Sequence, residues 1–89
     1  MNQSEERFIL RGVVLSTEER LMIEVIESEY AFGEYVVLLN GDTQFADREG
    51  KPSSPAALAA GQTVEVVYGG QVMMSYPPQI VARAVQILS

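Results

Sequence analysis

From Phe8 to Ser16 nearly every position is apolar: Ile9, Val13 and Leu15 share one parity with Arg11, and Phe8, Leu10 and Val14 share the other with Gly12. The run predicts a strand partly buried on both faces. Gly12 inside it predicts a bulge or sharp bend, the device by which a small barrel carries a long first strand from one sheet into the next. After the polar turn Thr17-Glu18-Glu19-Arg20, Leu21, Ile23 and Val25 alternate with Met22, Glu24 and Ile26, a period of two that predicts a strand with one buried face. A loop over 27–33 leads to a third alternating run, Glu34 to Leu39, with Tyr35, Val37 and Leu39 against Val36 and Leu38. Asn40-Gly41-Asp42 ends it with turn chemistry.

Thr43-Gln44-Phe45-Ala46 reads as a short extra strand before the turn Asp47-Arg48-Glu49-Gly50. Ser54-Pro55-Ala56-Ala57-Leu58-Ala59-Ala60-Gly61 carries an N-cap serine, a proline at the first helical position, an alanine-rich interior and a closing glycine, so it predicts one short helix or helical turn anchored by Leu58. Gln62 to Tyr68 alternates again, and Gly69-Gly70 reads as a hairpin turn returning the chain through Gln71 to Ser75. Ile80 to Leu88 supplies the final strand. Its inward parity is ambiguous, since Val81, Val85 and Ile87 fall with Arg83 while Ala82 and Ala84 fall with Gln86.

Three strands, a short helix and two more strands with a protruding hairpin between them give the element order of an OB-like barrel. The expected fold is therefore mainly β: a small five- to six-stranded antiparallel barrel over 8–89 with one short helix, preceded by a flexible tail at 1–7. Closing the sheet pairs valine-rich edges that would otherwise invite aggregation. An open sheet covered by the helix is the alternative that the same pattern permits.

Composition narrows the chemistry. The chain of 89 residues has no cysteine and no histidine. Thiolate nucleophiles, thiol redox chemistry, Cys-type zinc sites, the usual general base at neutral pH and the commonest nitrogen ligand of metals are thereby excluded. No catalytic residue, cofactor-binding residue or metal ligand is assigned, and an enzyme is not expected. Twelve acidic against six basic residues give a net charge of −6. That charge disfavours nucleic acid unless the cations gather on one face, yet Arg7, Arg11, Arg20, Arg48, Lys51 and Arg83 are scattered along the chain. The longest apolar run falls far short of the roughly 20 residues that cross a bilayer, so no membrane span is expected. Met1-Asn2-Gln3-Ser4-Glu5-Glu6 has neither a basic nor an apolar region, so the sequence as written reads as cytoplasmic; a signal trimmed from it would make it extracytoplasmic.

The segment from Gly69 to Ile80, GGQVMMSYPPQI, stands out, because a strand connection does not need two methionines, an aromatic residue and two prolines. Proline fixes φ, lacks an N–H and restricts the residue before it, so Tyr76-Pro77-Pro78 is a rigid corner, and a cis bond before Pro77 is a feature to check. On one reading Tyr76 caps the barrel and the prolines redirect the chain. On the other, Val72, Met73, Met74, Tyr76, Pro77, Pro78 and Gln79 form an exposed, adaptable binding edge for a protein partner or a second copy, since methionine fits varied partners and tyrosine joins contact area to a polar tip.

Two further constellations offer alternatives. Glu24, Glu27, Glu29 and Glu34 bracket the loop between the second and third strands, but neither they nor the segment from Asp42 to Glu49 has the spacing of an EF-hand. A solvated face is the plainer reading beside that of a calcium-binding acidic loop. Tyr30, Phe32 and Tyr35 could stack bases or a small ligand, as OB-like domains do; as structural residues, Phe32 and Tyr35 would fill the barrel mouth while Gly33 permits a turn.

Gly12-Val13-Val14, Phe32-Gly33-Glu34-Tyr35-Val36-Val37, Asp42-Thr43-Gln44-Phe45 and Ser75-Tyr76-Pro77-Pro78-Gln79-Ile80 together resemble the YobA-like bacterial domain of unknown function over nearly the whole chain. The resemblance implies a compact β-domain, a bacterial source, mainly among Firmicutes, and small secreted or lipid-anchored relatives. It brings no activity and no site residue.

Overall fold

The computed structural model describes residues 7–89. Residues 1–6, the greater part of the expected tail, lie outside the described residues. Among the described residues six strands follow one another: β1 (Phe8–Ser16), β2 (Leu21–Ser28), β3 (Gly33–Leu38), β4 (Gln44–Ala46), β5 (Thr63–Met73) and β6 (Gln79–Ile87). They hydrogen-bond in the order β3-β2-β1-β5-β6-β4, and an additional β3–β6 pairing closes β1, β2, β3, β6 and β5 into a five-stranded barrel. The expected mainly β, OB-like barrel is borne out. Not every pairing is antiparallel, however. Strand β6 runs parallel to β3 through Val36↔Gln79 and Val37↔Ile80, and parallel to β4 through Phe45↔Val85. Four antiparallel pairings around a ring of five strands leave β3 and β6 running in the same direction, so the pair that closes the barrel is parallel.

The core is filled by Leu10 and Val14 of β1, Leu21 and Ile23 of β2, Tyr35 and Val37 of β3, Val64, Val66 and Tyr68 of β5, and Ile80, Ala82 and Val85 of β6, with Leu58 closing one end. Leu58 is the anchor expected of the helical segment, but that segment is only a 3₁₀ turn at Pro55–Ala57. Ser54 is extended and its side chain caps nothing. Pro55 has no N–H to cap, and the exposed Ala56 amide is open to water.

Bulges decide which residues face inward. At Gly12 the β1–β2 register shifts, so that Arg11 pairs with Glu27 while Gly12 pairs with Val25; Ile26 is thus the extra residue and is exposed. A Cβ on Gly12 would stand 2.8 Å from the Glu24 carbonyl oxygen, which is why this position excludes a side chain. A second shift sets Val67 opposite Ala84 but Tyr68 opposite Ala82. Arg83 is the residue passed over. One extra residue moves the following side chains to the other face, so Ile80 and Ala82 point inward on one parity and Val85 on the other. This resolves the ambiguous alternation of the last strand.

Gly69-Gly70 is not a turn. Strand β5 runs on through both glycines to Met73, and Val72 and Met73 pair with Ile80 and Gln79. Gly70 is required by a close neighbour, since φ there is +92° and an ideal Cβ would overlap the ring of Phe8; at Gly69 an ideal Cβ would meet only the movable end of the Arg83 side chain, at 2.8 Å. The chain reverses farther on, at 74–78.

Candidate functional site

The reversal joining β5 to β6 is stiffened from within. Ser75 donates its backbone N–H to the Met73 carbonyl at 2.8 Å. Its hydroxyl donates to the Pro77 carbonyl at 2.8 Å and accepts from the Gln79 side-chain amide at 3.1 Å. The Pro78 carbonyl accepts the Val36 N–H at 3.0 Å, which fastens the turn to β3. Tyr76-Pro77 is a cis peptide, as the aromatic-proline pair suggested. With the polar groups of the turn engaged by one another, its apolar side chains are left outside. Met73 is 42%, Met74 88% and Tyr76 101% exposed, whereas Val72, Pro77, Pro78 and Gln79 are half-buried and form the base. Tyr76 therefore does not cap the barrel.

Sequence reasoning misplaced a neighbouring residue. Phe32 does not fill the barrel mouth; it is 85% exposed, and Tyr35 alone turns inward. The Ser28 hydroxyl accepts the N–H groups of Tyr30 at 3.2 Å and Ala31 at 3.0 Å, a tight serine turn that buries Ala31. Tyr30, 69% exposed, leans edge-on against Phe8 with centroids 5.5 Å apart. Because β3 and β6 are parallel and Val36 is paired with Gln79, the residues preceding each strand emerge at the same end of the barrel. Phe32 and Tyr76 share that end. The signal lay in the topology, since no local pattern pairs two residues so far apart in sequence.

Beside this apolar end, a groove of about 490 Å³ runs along the outside of the β5–β6 arm, lined by Met73, Val81, Gly69, Arg83 and the turn residues Asn40 and Asp42. The acidic residues do not converge. Glu24 and Glu34 face each other across β2 and β3, Glu27 is drawn to Arg11 at 3.5 Å, and Arg11 also binds Glu65 at 3.1 Å. Among the described residues no group of three or more carboxylates is placed to hold a metal ion. Buried Tyr68 has its phenol pKa raised by desolvation and by the neighbouring Tyr35, and lowered in part by a hydrogen bond with Ser28. No helix among the described residues is long and apolar enough to cross a membrane.

A family model described as "Protein of unknown function (DUF3221)" matches residues 1–89. The chain belongs to the DUF3221 family. This confirms a domain of unknown function, the coarser part of what the sequence resemblance implied. No curated protein matches this DUF3221 chain. Among solved structures its barrel is similar to that of a Cu(II)-bound CusF variant from Escherichia coli, with a TM-score of 0.64, 11% sequence identity and 98% of each chain covered. At that identity the likeness shows the fold alone.

Proposed function

We propose that this DUF3221 domain is a non-enzymatic binding module whose working surface is the β5–β6 reversal, Val72 to Gln79, enlarged by Tyr30 and Phe32 of the β2–β3 loop. The observation that carries the reading is the exposure of Met74, Tyr76 and Phe32, all above four-fifths, on a turn and a loop fixed by their own hydrogen bonds. Large apolar side chains held outward on rigid backbone are what protein interfaces use as anchors, because little conformational entropy is lost when a partner covers them. Methionine adds a surface that adapts to its partner's shape.

The reading is tested by panning a random-peptide library on immobilised wild type, with a folded Met74→Glu variant as counter-selection. Selected peptides should lose at least roughly tenfold in affinity on Tyr76→Ala, the loss expected of an interface anchor. A peptide panel that binds wild type and both variants equally would refute the assignment.

A further inference from the structure

The chain has no cysteine, so the thioethers of methionine are its only oxidisable sulfur. Three methionines, Met22, Met73 and Met74, stand among the described residues, and the fold exposes them unequally. Met22 is half-buried on β2, between Ser16 of β1 and Val36 of β3. Met73 ends β5, where it pairs with Gln79 and is 42% exposed. Met74 lies in the reversal itself and is 88% exposed. The hydrogen bonds that fix this turn join Ser75 to the Met73 and Pro77 carbonyls and to the Gln79 amide, and none of them uses the Met74 side chain. A change confined to the Met74 thioether therefore alters the outer surface and leaves the turn beneath it intact.

We infer that Met74 is a site of reversible oxidation that switches the surface off, an inference that rests on the binding role proposed above. A hydroperoxide transfers one oxygen atom to the Met74 Sδ: the sulfur gives up two electrons, the O–O bond breaks, and water or an alcohol leaves. The peroxide must reach the sulfur, so exposure sets the order of reaction as Met74, then Met73, then Met22. The product is polar and chiral where the thioether was apolar and adaptable. A partner that packs apolar groups over Met74 would bury the sulfoxide oxygen without a donor, and the complex weakens. Reversal belongs to a thiol-dependent sulfoxide reductase: the oxygen leaves as water while two thiols of the enzyme become a disulfide.

Hydrogen peroxide treatment of wild type, Met73→Leu and Met74→Leu tests the inference. Tandem mass spectrometry follows each methionine with time, circular dichroism follows the fold, and affinity is measured for the peptides selected on reduced wild type. Leucine keeps the volume and apolar character of methionine but has no sulfur to oxidise. The expected result is that Met74 gains its oxygen first, in wild type and in Met73→Leu alike, with an unchanged circular dichroism spectrum. At that stage peptide affinity falls roughly tenfold or more, and treatment with the two reductases, one for each sulfoxide epimer, restores it. Met74→Leu should keep its affinity at the same peroxide dose. Oxidation of Met22 or Met73 as fast as Met74, loss of structure at that dose, or an equal loss of affinity in Met74→Leu overturns the inference. Peptides that bind the reduced and the Met74-oxidised protein equally overturn the switch alone and leave the binding surface standing. A wild type that selects no peptide overturns the binding surface and the switch together.

Discussion

Replacing Gly70 by alanine attacks the fold where β5 bends past β1. Two costs combine. Gly70 sits at φ +92°, a conformation that charges a side-chain-bearing residue about 1–3 kcal/mol. The new methyl group would also overlap the Phe8 ring, which is half-buried, packed against the core, and in ring contact with Tyr30 and Tyr68 at 5.5 and 5.7 Å. Displacing that ring forfeits part of two aromatic contacts of about 0.5–1.5 kcal/mol each. The sum is about 2–5 kcal/mol, or a fall in Tm of about 10–30 °C for a domain of this size. Urea unfolding followed by circular dichroism gives the free energy directly. Gly41→Ala, where φ is ordinary and nothing lies within 4 Å, should stay within about 0.5 kcal/mol of wild type. Truncating Phe8 to alanine in the Gly70→Ala background should relieve the overlap, making the double variant more stable than the two separate losses imply by about 1 kcal/mol. A cost below about 1 kcal/mol for Gly70→Ala, or strict additivity with Phe8→Ala, would refute the close-approach account.

Other outcomes follow from the remaining buried and paired groups. Thr43 is buried, donates its hydroxyl to the Ala82 carbonyl at 2.8 Å and accepts the Asn40 N–H at 3.0 Å; Thr43→Val leaves both groups without this partner and should cost about 1–3 kcal/mol in urea unfolding. The raised pKa of Tyr68 means that the folded state holds its phenol proton more tightly than the unfolded state. Its contribution to stability is therefore complete below about pH 10, the unfolded value, and is lost as pH rises through the folded value. Thermal melts from pH 8 to 11 should show this decline, and Tyr68→Phe should flatten it. Arg11 joins Glu27 and Glu65 at the surface, so Arg11→Met should cost less than about 1 kcal/mol, with the difference shrinking in 1 M salt.

The strands were legible because period-two alternation survives wherever one face is buried. Phe8 to Ser16 and the start of β2 at Leu21 could be read directly, and Gly12 marked the register shift, although the extra residue is Ile26 on β2. What escaped detection depended on contacts distant in sequence. Gly69-Gly70 carries the composition of a turn, yet it is Phe8, far away along the chain, that excludes a side chain at Gly70. The Met-Tyr-Pro segment was recognisable by composition, and its exposure required the hydrogen bonds among Ser75, Pro77 and Gln79. Phe32 was misjudged because aromatic residues usually pay for burial with contacts, and only the parallel β3–β6 register reveals that this one stands beside the tip.

Strand β6 has neighbours along both edges: β5 on one, and β3 followed by β4 on the other. It is also the last of the six to leave the ribosome. A nascent chain that stops short of Gln79 can assemble β1, β2, β3 and β5 only as an open sheet, with the valine-rich margins of β3 and β5 unsatisfied. During synthesis the domain thus passes through a stage with two adhesive borders. Slowing the emergence of β6 is therefore expected to lower the soluble yield of the domain even where the finished barrel is equally stable.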